Sequence, residues 1–308
     1  MSGREPPGDA RPAPDALKGI GFMVLACVFF GAMHVGVRHV TQSIHPFEAA
    51  FFRNLFGLLV LTPIFITHGW RPLRTRRFGL HCARAALNVV AMLLFFYALS
   101  ITPVVLVTAL AFTAPLFTSV LAILLLGERI RARRITAIVI GFAGTLLIIR
   151  PGIQPVELGP ALVLISAAVW GYVVVLIKSL SRTDSAVTIT AYMVLLMTPM
   201  TLVCALFVWT WPNGEELAVL AGIGIAGTLA QMCMTQSLRL ADTMVVLPFD
   251  FTKLVWGAFF AWLLFGELMD TWTLVGALVI FSGGLYVAYR ERQLAQRRRD
   301  PRITETGR

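Results

Sequence analysis

From residue 17 to residue 290 the sequence is a succession of ten apolar runs of about twenty residues, parted by short breaks of Arg, Pro, Gly and Asp. A helix needs about that many apolar residues to cross a bilayer. Inside hydrocarbon the backbone must satisfy its own polar groups, so each run has to be a helix. The breaks place the spans at 17–40, 46–67, 79–100, 103–126, 132–150, 158–180, 185–209, 216–239, 243–265 and 271–290. With 57% hydrophobic and only 14% charged residues, the chain has too little polar surface for a soluble domain, where about 25% of residues are charged. Disordered chains have the opposite composition. The expected fold class is an all-α polytopic membrane protein with ten transmembrane helices. The first run is too long for a signal-peptide core and reads as a retained span.

Outside those runs the chain is polar. Residues 1–16, with Pro6, Pro7, Pro12 and Pro14, read as a disordered cytoplasmic tail, and residues 291–308, with Arg297-Arg298-Arg299, as a basic one. The net charge of +10 could fit nucleic acid, but the cations lie in gaps between apolar runs, where they orient a membrane protein. With the N-terminus inside, 21 of the 26 cations fall in cytoplasmic segments. Only Arg38 and Arg150 fall outside, while Arg53, Arg84 and Lys253 lie within spans. That asymmetry predicts N-in and C-in topology, with the basic segments facing anionic lipids of the bilayer. Cys27, Cys82, Cys204 and Cys233 form no CxxC or Cys/His cluster and read as small buried hydrophobes.

The chain also repeats itself. A shift of 139 lays Leu124-Leu125-Leu126-Gly127-Glu128 on Leu263-Leu264-Phe265-Gly266-Glu267, and Phe142, Gly144 and Leu146 on Phe281, Gly283 and Leu285. A shift of 140 lays Phe30-Gly31 and Arg38 on Trp170-Gly171 and Lys178. Residues 17–151 and 157–290 thus read as two five-span repeats. Five is odd, so the second copy enters the membrane inverted; accordingly Arg129, Arg131, Arg133 and Arg134 follow the first Gly-Glu, whereas Leu268-Met269-Asp270-Thr271-Trp272 after the second holds no cation. Inverted repeats are an architecture of alternating-access transporters, because two related packings open to opposite sides.

Phe96-Tyr97-Ala98-Leu99, Thr113-Ala114-Pro115-Leu116, Leu126-Gly127-Glu128-Arg129 and Gly141-Phe142-Ala143-Gly144 resemble the EamA domain of the drug/metabolite transporter superfamily. The second half resembles a more divergent copy, with Leu254 where the first has Pro115 and a Pro at 248 instead. The resemblance implies a permease of the bacterial inner membrane whose central cavity is lined by the first, third, fourth, sixth, eighth and ninth helices.

Ionisable groups inside spans mark function, since each costs about 2.5–3.5 kcal/mol at a helix centre on insertion scales. Asp250 and Lys253 are one turn apart and able to pair. They read equally as a buried structural pair or a solute or proton site. His34, Asn88, Trp170 and Gln231 lie on other spans that the resemblance assigns to the cavity. With Asp250 and Lys253 they make up the candidate substrate-binding set. Each has a structural alternative: His34 as a packing residue, Asn88 and Gln231 as helix-to-helix hydrogen bonders, and Trp170 as bundle core. Arg84 sits near enough to the cytoplasmic end to snorkel. Glu128 and Glu267 read as caps or braces of the short turns they begin. Gly222-Ile223-Gly224-Ile225-Ala226-Gly227 matches GxGxxG, but without a surrounding βαβ unit it reads as close helix packing.

These residues point to a secondary transporter of a small organic metabolite: an amino acid or derivative, or a nucleoside-like or vitamin-like solute. No Walker P-loop is present, so ATP is not the direct energy source. Protons are a candidate coupling ion through Asp250 or Glu48; facilitated diffusion and exchange are the alternatives. An integral membrane enzyme would show His or carboxylate clusters such as HExxH, and none occurs. A passive channel would not need the two-state design. No catalytic residue, metal site or cofactor is expected. A reporter fused after Asn213 is expected outside and one after Arg290 inside; the reverse pattern would overturn the charge-based map.

Overall fold

A computed structural model describes residues 16–68, 75–126, 132–150, 157–180, 183–184, 186–241, 246, 249–283 and 286. Most of both expected tails, Glu128, Arg129, Arg131 and Pro248 lie outside the described residues. The helices are α1 (Ala16–Val40), α2 (Pro46–His68), α3 (Phe78–Ile101), α4 (Val104–Ala111), α5 (Ala114–Leu126), α6 (Ala132–Ile149), α7 (Leu158–Leu180), α8 (Ala186–Leu206), α9 (Gly214–Leu240), α10 (Thr252–Phe265) and α11 (Thr271–Gly283). Among the described residues there is no strand. Large apolar side chains stand on the outer surface, as at Phe207 (86% exposed) and Leu263 (60%), which is the inside-out pattern of a protein solvated by lipid.

The expected fourth span is two helices. Pro115 cannot donate a backbone hydrogen bond and its ring crowds the carbonyl four residues back, that of Ala111, where α4 stops. Pro115 itself sits in the first turn of α5, where a missing N–H costs nothing. In the ninth span the helical pattern is likewise interrupted at Phe251, before α10. A shift of 139 carries Phe112-Thr113 onto Phe251-Thr252. The local bonding matches as well: the Thr113 hydroxyl donates to the Leu110 carbonyl and the Thr252 hydroxyl to the Phe249 carbonyl, each at 2.7 Å. The two interruptions are therefore equivalent, centred on a Phe-Thr pair.

Packing exchanges partners between the repeats. α1 lies against α9 and α10, and its counterpart α7 lies against α3, α4 and α5. Small residues permit these approaches. A Cβ on Gly31 would meet the Trp256 and Gly257 backbone at 3.1 Å, and one on Gly171 would meet the Thr118 amide at 2.8 Å. Because 31 maps onto 171 and 118 onto 257, one contact is made twice. Gly144 and Gly276 bring α6 and α11 together in the same way.

Polar ties between repeats close both ends of the bundle. At one end Glu267 does not cap its own turn, as its position suggested. Its Oε2 accepts the otherwise unpartnered Val104 N–H at the start of α4 (3.2 Å), and its Oε1 faces Arg38 at 3.6 Å. Arg38 also donates to the Leu99 and Ser100 carbonyls at the end of α3. Arg150 pairs with Asp270 at 2.8 Å, so both cations expected outside are matched by acids from one loop. Glu48, fully buried, accepts from the Thr210 amide and hydroxyl at 3.0 Å each. At the other end Asp184 accepts from Thr75 (2.9 Å) and contacts His81 Nε2 (2.8 Å), and these bonds, His81's foremost, hold its carboxyl below the usual range.

The GxGxxG run is helix packing. A Cβ on Gly224 would lie 2.5 Å from Phe56 Cβ and 3.2 Å from the Arg53 carbonyl, whereas one on Gly222 meets nothing within 4 Å. Gly224→Ala is expected to destabilise the protein by about 1–3 kcal/mol through overpacking, while Gly222→Ala gains about 0.5–1 kcal/mol from helix propensity. Thermal unfolding in detergent checks both, and equal effects would mean that the α2–α9 contact is not tight.

Candidate functional site

The two interruptions meet. The Phe112 and Phe251 rings stand 5.2 Å apart, and Phe251 lies tilted against Phe281 at 4.4 Å. A broken helix inside a bundle leaves carbonyls short of an intrahelical donor, which is tolerated only where protein or a polar cavity supplies partners. Here α1 comes alongside, and the Cys27 thiol lies 3.6 Å from the Phe249 carbonyl and 3.5 Å from that of Asp250.

Asp250 and Lys253 flank the second interruption and form an ion pair of 2.9 Å. Lys253 Nζ also stands 5.0 Å from the centre of the Phe30 ring and 5.7 Å from that of Phe112, within the range of cation–π attraction. The pair is not sealed: the Lys253 side chain is 19% exposed and that of Asp250 26%. His34 stands one turn along α1 from Phe30, buried, 3.5 Å from the Thr108 hydroxyl and 5.1 Å from the Phe95 ring. The charge is one-sided. The residues equivalent to Asp250 and Lys253 in the first repeat are Ala111 and Ala114.

Of the six candidates the structure brings together His34, Asp250 and Lys253. Asn88 is buried between α3 and α8, its amide 3.1 Å from Met197 Sδ. Gln231 is half-buried on α9, and the stripe expected with it divides: Thr228 is buried against Gly57 of α2, while Thr235 is exposed. Trp170 is 40% exposed on α7, beside the Gly171 contact. Arg84 does not snorkel. It is buried and donates to the Ile189 carbonyl at 2.9 Å, since α8 closes over it before it can reach the bundle end. Arg53 donates to Asn54 Oδ1 at 3.1 Å. Cys27 is buried as expected, whereas Cys82, Cys204 and Cys233 are only half-buried; all four are free thiols. Among the described residues no group of His, Cys, Asp and Glu could hold a metal.

Sequence reasoning missed Cys27, Phe30, Phe112 and Phe251 as neighbours of the pair. A signal existed for two of them: Phe-Thr recurs at the repeat shift, at 112–113 and 251–252.

Ten apolar spans in two repeats, with a partly open ion pair where both interrupted spans cross, define a multi-pass membrane carrier. The EamA-like transporter family model matches residues 17–150 and again 157–289. The chain belongs to that family. It is 30% identical over 290 residues to an S-adenosylmethionine uptake transporter of Rickettsia felis, covering 93% of this chain and 99% of that one. It is 31% identical to a riboflavin transporter of Brucella anthropi (86% and 96%) and 30% to one of Vibrio cholerae (92% and 94%). A solved crystal structure shares the fold with a TM-score of 0.61 over 90% of this chain and 98% of the other, at 17% identity. The protein is a secondary transporter of small organic metabolites and not an enzyme.

Removing one member of a buried ion pair strands the other charge, which typically costs about 3–5 kcal/mol, less where water reaches the site. Asp250→Asn is therefore expected to lower thermal stability more than Asp250→Asn combined with Lys253→Met. Melting curves of both variants decide the matter, and an additive loss would show that the two charges are not coupled.

Proposed function

We propose that the solute binds where the interrupted fourth and ninth spans cross, against the Asp250–Lys253 pair and the Phe30, Phe112 and Phe251 rings. The observation that carries this reading is that pair: two opposite charges within a predicted span, partly exposed, with two aromatic rings near Lys253. A zwitterionic or charged group can exchange partners with Asp250 and Lys253 while a planar ring lies on the phenylalanines. His34 stands next to them. Trp170, equivalent to Phe30 in the second repeat, Asn88 and Gln231 stay candidates on α7, α3 and α9, apart from this cluster.

The solute is a metabolite that joins a flat heteroaromatic ring to a charged or polar tail. S-adenosylmethionine is the first candidate, since it combines an adenine ring with a zwitterionic end and has a carrier among the relatives. Riboflavin is the second, favoured by the Phe112, Phe251 and Phe281 ring cluster and by carriers among the relatives. Transport proceeds by alternating access: the two inverted repeats rock about the Phe-Thr interruptions, breaking the ties at one end and keeping those at the other. The protein lies in the bacterial inner membrane with both termini inside, its basic segments against anionic lipids. Asp250 is the carboxylate for proton coupling, because Glu48 is tied to the Thr210 segment far from the pair.

Purified protein is expected to be stabilised by S-adenosylmethionine and to show saturable counterflow of it in liposomes. Stabilisation by riboflavin alone would select the second candidate. Non-saturating flux would mean a channel, and response to neither ligand would overturn the substrate class. Asp250→Asn should abolish the pH dependence of counterflow; unchanged pH dependence would remove the proton role.

A further inference from the structure

Lys253 has more around it than neutralisation requires. One carboxylate suffices for an ammonium, and Asp250 Oδ1 supplies it at 2.9 Å. The two rings within 6 Å of Nζ come from elsewhere: Phe30 from α1 and Phe112 from the first repeat's interruption. A carboxylate and two aromatic faces converging from three spans are the means by which proteins hold organic cations. The partial exposure of both charges leaves the group within reach of a solute.

We infer that this cage is a binding site for an organic cation, an ammonium or sulfonium, which the chain fills with its own Lys253 when no solute is present. The arriving cation takes the place of Lys253 against Asp250 and the two rings. The displaced ammonium, on its flexible four-carbon stem, turns to the carboxylate of the same solute. Each charge keeps a partner throughout, so a zwitterion with the spacing of an amino acid enters without stranding a charge in the bilayer. A simple anion or a neutral ring gains nothing from the exchange. This rests on reading the site as the solute site, and it names the part of the solute that the site selects.

The test needs no knowledge of the natural solute and no transport, so its failure is separable from failure of the substrate reading. Tetramethylammonium chloride is titrated into purified protein against sodium chloride at equal ionic strength, and the thermal midpoint is followed. Lys253→Gln leaves the cage vacant and should show a saturable rise of the midpoint with tetramethylammonium. Wild type should respond only at concentrations at least tenfold higher, because Lys253 competes at a high effective concentration. Lys253→Gln/Asp250→Asn should lose the response, and Lys253→Gln/Phe30→Leu should weaken it. Equal responses in all four proteins, or none in folded Lys253→Gln, would overturn the proposal. Where Lys253→Gln does not fold, the wild type serves. The sequence holds only two other lysines, Lys18 and Lys178. Saturating tetramethylammonium should speed amidination of Lys253, read by mass spectrometry, relative to both. An unchanged ratio would overturn the proposal as well.

Discussion

Within hydrocarbon no water satisfies a backbone amide or carbonyl, and every other feature of this bundle follows from that constraint. It turns each apolar run into a helix. It also determines where a helix can fail: only where neighbouring protein takes over the freed groups. The fourth and ninth spans fail at equivalent Phe-Thr pairs, and the Phe rings of those two places stand 5.2 Å apart. At the interruptions Thr113 and Thr252 return hydroxyl bonds to the backbone, and at the second α1 supplies the Cys27 thiol. Charge follows the same logic. Asp250 and Lys253 are tolerable because they sit where polar backbone is already gathered and where each neutralises the other.

The polar ties at the two ends join one repeat to the other. Arg38 with Glu267, Arg150 with Asp270 and Glu48 with Thr210 do so at one end, and His81 with Asp184 does so at the other. The helix contacts in between are made mostly by small residues, Gly31, Gly144, Gly171, Gly224 and Gly276, whose close approaches are steric rather than polar. Polar bonds also join the repeats between the rims, as Arg84 with the Ile189 carbonyl, Asn54 with Thr201 and Ser166 with the Ala91 carbonyl. The bundle is thus held by close steric contacts with directional bonds both at its rims and along its length.

Most of the fold was legible in the sequence, because a twenty-residue apolar run has one structural solution in a bilayer. Helix ends among the described residues fell mostly within a few residues of the hydropathy breaks, and the repeat at 139 carries one interruption onto the other. The interruption in span four was not legible as two helices, since hydropathy does not register the carbonyl that Pro115 displaces at Ala111. The candidate site was legible in part. Ionisable residues announce themselves by their cost, which is how Asp250 and Lys253 stood out. Phenylalanines do not, since 21 of them occur in the chain and nothing in one dimension tells a cage wall from lipid-facing bulk. Arg84 shows the opposite failure: its distance from the span end suggested snorkelling, and only the packing of α8 over it showed that its partner is the Ile189 carbonyl.

Ala111 and Ala114 stand where the second repeat has Asp250 and Lys253. Duplicated scaffolds alike in packing differ here in chemistry: both copies keep the interruption, and one carries the charges. Two conformations related by swapping the roles of the repeats would be equal in energy if the copies were alike. With the charges on one copy, exchanging the roles of the repeats does not return the same site. The asymmetry of the site is then a property of two alanines as much as of the charged residues that stand in their place in the second repeat.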